Sequence, residues 1–171
     1  MNQAAIQHFD VLIIGSGLAG QSLALRLADT RRVALVTKKS LEDSASTMAQ
    51  GGIAAVLDPA DSVEAHAEDT FAAGAGLCDP AATRFVVEHG REAIEWLVAR
   101  GVPFTPDGSP LGFHLTREGG HGQRRIIHAA DATGKAVQQT LTAQVKAHPN
   151  ITVLERHIAV DLITASKLGL P

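Results

Sequence analysis

A glycine-rich turn directly behind a short apolar run is the feature that most constrains what this chain can fold into. Residues 10–14 (Asp-Val-Leu-Ile-Ile) are typical of a strand buried on both faces of a parallel sheet. A helix is predicted over 19–28, and a G-x-G-x-x-G pattern joins the two. This pattern consists of Gly15, Ser16, Gly17, Leu18, Ala19 and Gly20. Its glycines permit a tight turn, approach of a pyrophosphate and close helix–strand packing, and the helix N-terminus offers N–H groups to phosphates. The motif therefore predicts dinucleotide binding.

Composition limits the classes of protein to which the chain can belong. Its 171 residues, 45% of them hydrophobic and 19% charged, suffice for one globular domain with its own core. The net charge of −3 and the absence of a basic block argue against a nucleic-acid partner. No apolar run is long enough to cross a membrane, and the single cysteine, Cys78, favours a reducing compartment. We therefore expect a cytoplasmic protein.

The pattern of apolar residues predicts the order of the elements. Strand 11–14, helix 19–28 and strand 33–37 form a βαβ unit with parallel strands. Further helices are predicted over 62–73, 80–89, 91–100 and 134–148, and further strands over 151–154 and 159–163. This order indicates an α/β fold, a Rossmann-like domain with a parallel sheet and crossover helices.

Local patterns add detail to these elements. Asp61 or Ser62 is expected to cap the helix over 62–73. Phe85 and Val86 are expected to be buried, and the polar, non-periodic segment 38–48 is expected to be a loop. No partner strand follows the predicted strand 159–163, so we expect a truncated chain.

The residues after the second strand leave the dinucleotide open. An acidic residue usually follows this strand and binds the adenosine ribose, but here Lys38 and Lys39 follow it. The lysines can bind the 2′-phosphate of NADP, or Lys38 can lie at the adenosine half of FAD. Lys39 can also be simply solvated, as most surface lysines are.

A second dense group of polar residues lies over 114–134. Glu118 can bind a substrate ammonium, or form a surface ion pair with Arg117 or Arg124. The histidines of this segment are candidate ligands or bases, or local hydrogen-bonding groups. Their spacing does not suit a metal site, so none is predicted. Asp131 or Thr133 is a candidate cap for the helix that follows. The three histidines are His114, His121 and His128.

Several segments together resemble the succinate dehydrogenase/fumarate reductase flavoprotein family. They are GSGLAG at 15–20, AQGGIA at 49–54, REGGH at 117–121 and RIIHAADATG at 125–134. The resemblance covers essentially the whole chain and is to the branch that oxidises an amino acid. It implies that residues 1–171 are the N-terminal part of an FAD-binding domain. The rest of that domain, the capping domain and the C-terminal helical domain would lie outside this chain.

The resemblance assigns residues to the cofactor. It implies FAD in an extended form, with residues 16–19 at the pyrophosphate and Lys38 near the adenosine. Family members that attach FAD covalently carry a histidine six positions before the first glycine of Gln-Gly-Gly. That position here is Ala45, so noncovalent FAD is implied. The segment around the flavin would comprise Ser44, Ala45, Ser46, Thr47, Met48, Ala49, Gln50, Gly51 and Gly52.

The resemblance also implies an activity. Glu118 matches the glutamate that orients the substrate, and a carboxylate near the amine would select an amino acid over a plain diacid. The implied reaction oxidises L-aspartate to iminoaspartate by hydride transfer to FAD, with oxygen or fumarate as electron acceptor. This reaction begins NAD biosynthesis through quinolinate, which implies a functional link to quinolinate synthase. We expect no turnover by this chain alone. The alternatives are an NADP-dependent reductase and a non-catalytic dinucleotide-binding fragment.

Overall fold

The computed structural model describes residues 6–130 and 132–170, which divide into two compact units. The first unit holds the described residues up to 45 and from 141 onward, and the second holds those between 46 and 140. In chain order the elements are β1 (Val11–Ile14), α1 (Leu18–Leu27), β2 (Val33–Thr37), α2 (Ala45–Met48), β3 (Ile53–Ala54), α3 (Val63–Gly74), α4 (Pro80–Glu88), α5 (Gly90–Ala99), β4 (Leu115–Thr116), β5 (Ile126–Ile127), α6 (Thr133–Ala147) and β6 (Ile151–Glu155). A 3₁₀ turn, Ser166–Leu168, follows them.

The first unit is built on a parallel sheet with the strand order β1-β2-β6. Val33 pairs with Val11 on one side and with Ile151 on the other, so β2 is the central strand. Its residues Val33 and Leu35 are fully buried, as the apolar, β-branched run predicts. The predicted βαβ unit and the parallel α/β architecture are confirmed.

The second unit combines helices with a small antiparallel sheet of order β3-β5-β4. Two of its helices begin at side-chain caps. Ser62 accepts a hydrogen bond from the Ala65 amide at 3.1 Å, and Asp79 accepts one from the Ala82 amide at 2.8 Å. Each cap satisfies an amide that lacks a partner within the helix, so Ser62, rather than Asp61, caps α3.

The structure corrects the predicted loop over 38–48 and the predicted strand over 159–163. Ala45–Met48 forms a short helix within that loop. Residues 159–163 are exposed and belong to no strand among the described residues. Apolar residues such as Val160 and Ile163 favour a strand, but a strand forms only where a partner supplies hydrogen bonds.

The expected burial in α4 was also wrong. Val87 is the buried residue of this helix, whereas the exposed fractions of Phe85 and Val86 are 61% and 67%. Thr83, four residues before Val87, is half-buried, so the inward stripe passes through 83 and 87. Phe85 and Val86 therefore project away from it.

In the part of the chain that the structure describes, no helix is both long enough and apolar enough to cross a bilayer.

Candidate functional site

The glycine-rich turn of the first unit lines a cavity of about 400 Å³. Gly15 has a φ of +110°, a conformation that side-chain-bearing residues rarely adopt, and its amide donates to the Val36 carbonyl at 2.8 Å. The turn is thus held at the carboxyl end of the sheet, where α/β folds bind their ligands. The lining residues are Ile14, Gly15, Ser16, Gly17, Val36, Thr37, Lys38, Asp43, Ser44, Ala45, His157, Ile158 and Ala159.

The N-terminus of α1 faces this turn and suits an anion. Gly17 is its N-cap residue and provides no side-chain cap, and the first turn contains no acidic residue. The first amides of a helix lack partners within it and carry a partial positive charge. A Cβ on Gly20 would lie 2.0 Å from the Gly15 carbonyl oxygen, so only glycine allows this approach of helix and turn.

A buried polar network stabilises the glycine-rich turn. The Ser16 hydroxyl donates to Thr37 Oγ1 at 2.9 Å, and Gln21 Nε2 donates to the Ser16 carbonyl at 2.9 Å. The Thr142 hydroxyl in turn donates to Gln21 Oε1 at 3.1 Å. Sequence reasoning missed Gln21, Thr37 and Thr142. A glutamine in the first turns of a helix expected to pack on a sheet was the available signal.

Lys38 and Lys39 occupy different environments. Lys38 lines the cavity, whereas Lys39 forms an exposed ion pair with Asp43 at 2.9 Å. Asp43 itself lines the cavity and supplies an acidic group that the sequence analysis did not identify. A carboxylate in the cavity that Lys38 also lines opposes a 2′-phosphate and suits ribose hydroxyls.

The Gln50-Gly51-Gly52 segment belongs to the second unit and leads into β3. A Cβ on Gly52 would lie 2.4 Å from Ile126 Cγ2 and 2.5 Å from the Ile127 carbonyl oxygen of β5. At Gly51 it would lie 3.9 Å from Glu118 Oε2. Gly52 thus packs closely against β5, while Gly51 lies beside the carboxylate of Glu118, the candidate substrate-orienting residue.

The start of α6 packs equally closely on residues 46–49. A Cβ on Gly134 would lie 2.1 Å from the Ser46 carbonyl oxygen and 2.8 Å from Ala49 Cβ. The Gly134 amide donates to the Ala49 carbonyl at 3.1 Å. Met48 is 80% exposed. The backbone of Ser46 and Ala49 therefore helps to hold this segment.

Glu118 lies on the hairpin loop between β4 and β5. The His121 amide donates to the Glu118 carbonyl at 3.2 Å, which closes a turn in which Gly120 has a φ of +83°. Among the described residues the Glu118 carboxylate forms neither an ion pair nor a hydrogen bond. The alternative of an ion pair with Arg117 or Arg124 therefore does not occur there.

A buried ion cluster supports the same hairpin. Arg125 is fully buried and binds both carboxylate oxygens of Asp61 at 2.8 Å. It also donates to Asp69 Oδ2 at 2.5 Å, and this oxygen accepts the Gly122 amide at 2.6 Å. Hydrogen bonds from Arg125 hold the pKa of Asp61 below its ordinary value, and those from Gly122 and then Arg125 do the same for the pKa of Asp69. These carboxylates remain ionised at neutral pH.

His66 lies beside this cluster. It is 6% exposed, and its Nδ1 has no hydrogen-bond partner among the described residues. Burial lowers its pKa, and the charge of Arg125 lowers it further. Its ring centre is 5.6 Å from that of His121. His66, Asp69 and Thr70 share one face of α3, and this polar face was a signal that sequence reasoning did not use.

The histidines of the hairpin region form local hydrogen bonds. His114 Nδ1 and His128 Nε2 are 2.9 Å apart, and His121 Nδ1 is 3.4 Å from Arg125 Nη1. The Thr133 hydroxyl accepts the Ala129 amide at 3.1 Å, and the cap proposed at Asp131 lies outside the described residues. Within those residues no group of three or more histidine, cysteine or acidic side chains is placed to hold a metal ion.

The predicted cofactor residues are thus distributed over several elements. Gly15, Ser16, Gly17, Lys38, Ser44 and Ala45 line the cavity of the first unit. Leu18, Ala19 and Gly20 form the first turn of α1. Ser46 to Gly52 and Glu118 lie in the second unit. His157, Ile158 and Ala159, which follow β6, also line the cavity and were not identified from the sequence.

The parallel sheet, the glycine-rich turn and its cavity define a dinucleotide-binding α/β protein. The chain belongs to the family described as "FAD binding domain", whose model matches residues 10–168. FAD is therefore its cofactor, and the glycine N-cap of α1 and Lys38 in the cavity fit the diphosphate and adenosine of that group. The family membership and the FAD cofactor that the resemblance implied are confirmed.

Known proteins similar to this chain are considerably longer. It is 65% identical over 165 residues to L-aspartate oxidase 1 of Ralstonia nicotianae and 58% identical over 174 residues to L-aspartate oxidase of Pseudomonas aeruginosa, with 96% of this chain covered in each match. Among solved structures it is similar to an E. coli quinol fumarate reductase (32% identity, TM-score 0.83), over 90% of this chain and 26% of that one. The chain spans about a third of the curated relatives, 31% and 32% of their lengths.

Proposed function

We propose that this chain forms the FAD-binding and substrate-orienting part of an enzyme that oxidises L-aspartate to iminoaspartate. The observation that carries the proposal is the position of Glu118. Its carboxylate forms no ion pair among the described residues and lies beside Gly51 of the Gln-Gly-Gly segment. The curated relatives named above are L-aspartate oxidases, and aspartate carries the ammonium group that such a carboxylate binds.

Each unit contributes its own residues to this function. The first unit holds the diphosphate at the N-terminus of α1, where the N-cap residue is Gly17. In the second unit Glu118 accepts hydrogen bonds from the substrate ammonium and so orients Cα. Bound FAD would supply the acceptor for the Cα hydride, with oxygen or fumarate as the proposed final electron acceptor. The loss of the hydride from Cα and of one proton from the ammonium nitrogen leaves the C=N bond of the protonated imine.

The charge around Glu118 suits a dicarboxylate substrate. Arg117 and Arg124 line an open polar cavity of about 690 Å³ on the same hairpin. Arg124 also donates to the Leu115 carbonyl at 3.3 Å, which fixes part of its side chain. Two guanidinium groups raise the local concentration of an anionic substrate, while Glu118 favours the amino acid over succinate.

Several finer expectations belong to the same proposal. Ala45 at the start of α2 provides no nucleophile, which supports noncovalent FAD, and acid precipitation should release all of the flavin. Residues 16–19, Lys38 and 44–52 are the proposed FAD contacts. Fumarate or oxygen as electron acceptor, the functional link to quinolinate synthase and a cytoplasmic location remain predictions.

A chimera tests the proposed reaction. This chain would replace the matching third of the Pseudomonas aeruginosa relative, and L-aspartate-dependent peroxide formation would be measured. We expect activity, and Glu118→Gln should lower kcat/KM for L-aspartate by on the order of tenfold or more, since it weakens a charge-assisted hydrogen bond. Glu68→Gln, at an exposed position of α3, is the matched control and should change little. An inactive chimera, or equal effects of both variants, would contradict the proposal.

A further inference from the structure

The carboxylate of Asp69 joins two parts of the hairpin that carries Glu118. Its Oδ2 accepts both the Gly122 amide, at 2.6 Å, and the Arg125 guanidinium, at 2.5 Å. The Asp69 side chain is 26% exposed and that of Arg125 fully buried. Asp69 lies on α3, so this helix holds the C-terminal limb of the loop.

The loop between β4 and β5 needs such a restraint. It contains Gly119, Gly120 and Gly122, and glycine has more conformational freedom than any other residue type. Within the loop, the backbone of Glu118 is tied by the turn that the His121 amide closes. Gly122 follows directly, and a Cβ there would lie 3.3 Å from Asp69 Oδ2, so the loop and the carboxylate are in close contact.

Asp69 is not needed to neutralise Arg125. Asp61 already binds this guanidinium through both of its oxygens, and the Asp61 side chain is 2% exposed. A second carboxylate leaves the cluster of Asp61, Asp69 and Arg125 with an excess negative charge, which is unfavourable near buried groups unless it makes further hydrogen bonds. The Gly122 amide provides such a bond.

We propose that Asp69 is a positioning residue for Glu118: anchored by Arg125, it fixes Gly122 and thereby holds the Glu118 turn beside Gly51. This inference rests on the proposed role of Glu118 as the group that binds the substrate ammonium. It assigns to α3 the task of presenting that carboxylate in one position, which reduces the ordering required when substrate binds.

The test compares Asp69→Ala with Glu68→Ala in the full 171-residue chain. Both variants remove one carboxylate from adjacent positions of α3, but Glu68 is exposed. Limited trypsin digestion measures cleavage after Arg117 and Arg124, in the loop, and after Arg84, in α4. A nuclear Overhauser effect between the Hα protons of Gly51 and the side-chain or Hα protons of Glu118 reports the position of Glu118 directly.

We expect Asp69→Ala to increase loop cleavage by on the order of tenfold or more, as the loss of hydrogen bonds to a charged group should. Cleavage after Arg84 should stay unchanged, and the Overhauser effect should disappear. Asp69→Asn, which keeps an acceptor for Gly122, should show a smaller increase, and Glu68→Ala none.

Two results would overturn the proposal. One is a folded Asp69→Ala variant in which both the rate of loop cleavage and the Overhauser effect equal those of the unmodified chain. The other is increased trypsin cleavage both after Arg84 and in the loop, in both Asp69 variants. This result would make Asp69 a general stabiliser of the second unit. Neither readout uses FAD or aspartate, so failure here is distinguishable from failure of the proposed reaction.

Discussion

Lys38 and Lys39 are adjacent in the sequence and differ in what they can contribute to cofactor binding. Lys38 lines the cavity of the first unit, and Lys39 is paired with Asp43. Lys38→Ala should weaken FAD binding by about 3- to 10-fold, the usual effect of removing one partly exposed charge. Fluorescence titration measures this, with Lys39→Ala as the control. A larger loss with Lys39→Ala than with Lys38→Ala would contradict the assignment.

His66 should make the stability of the chain depend on pH. Its folded-state pKa is lowered, chiefly by burial, so the unfolded chain takes up a proton at a higher pH than the folded chain. The free energy of unfolding should therefore fall as the pH drops below about 6.5, the value for a free histidine, and go on falling to the lowered pKa. Urea unfolding at about pH 7.5 and about pH 5.5 measures the change.

Replacement of this histidine isolates its contribution. His66→Gln should reduce the loss of stability between the two pH values, because glutamine does not titrate. His8→Gln, at an exposed position, should leave the loss unchanged. An unaltered pH dependence in His66→Gln would show that other groups cause it.

Single residues were predictable where their role follows from neighbours in the sequence. Glu118 and Lys38 were identified because each follows a local motif, and the structure places them on a loop and in a cavity. The ion cluster of Asp61 and Asp69 was not identified, because their partner Arg125 lies 64 and 56 residues away. An ion cluster formed by tertiary contact leaves no local pattern, apart from the polar face of α3.

Among the elements, β3 and β5 provide a stringent test of close packing. A Cβ on Gly52 would clash with Ile126 and Ile127, whereas one on Gly51 would make an ordinary contact with Glu118. Gly52→Ala should destabilise the chain by about 1–3 kcal/mol, the usual cost of overpacking. Gly51→Ala, which makes the same chemical change one residue earlier, should cost less than Gly52→Ala in urea unfolding. Equal costs would contradict the close approach of Gly52 to β5.

The elements that sequence reasoning found are those with a complete local pattern. Strand β1 and helix α1 combine apolar residues with a glycine-rich boundary, and β2 is an apolar run between charged residues. All three were predicted to within a residue. The two-residue strands β3, β4 and β5 are too short to show a period and depend on pairing between distant segments. The expected strand over 159–163 has the opposite problem, a strand-like pattern without a partner among the described residues.

At the scale of the whole molecule, the cofactor should stabilise the fold, and its identity can be read from that effect. A ligand that binds only the folded state contributes about 2.7 kcal/mol at about 100 times its Kd, or roughly 5–10 °C in Tm for a chain of this size. We expect FAD to raise the Tm in this way. NADP should not, because an acidic group, Asp43, lines the same cavity as Lys38 and opposes a 2′-phosphate. Asp43→Asn, which removes that charge, should reduce the difference between the Tm increases that FAD and NADP cause. Stabilisation by NADP but not by FAD would instead favour the reductase alternative.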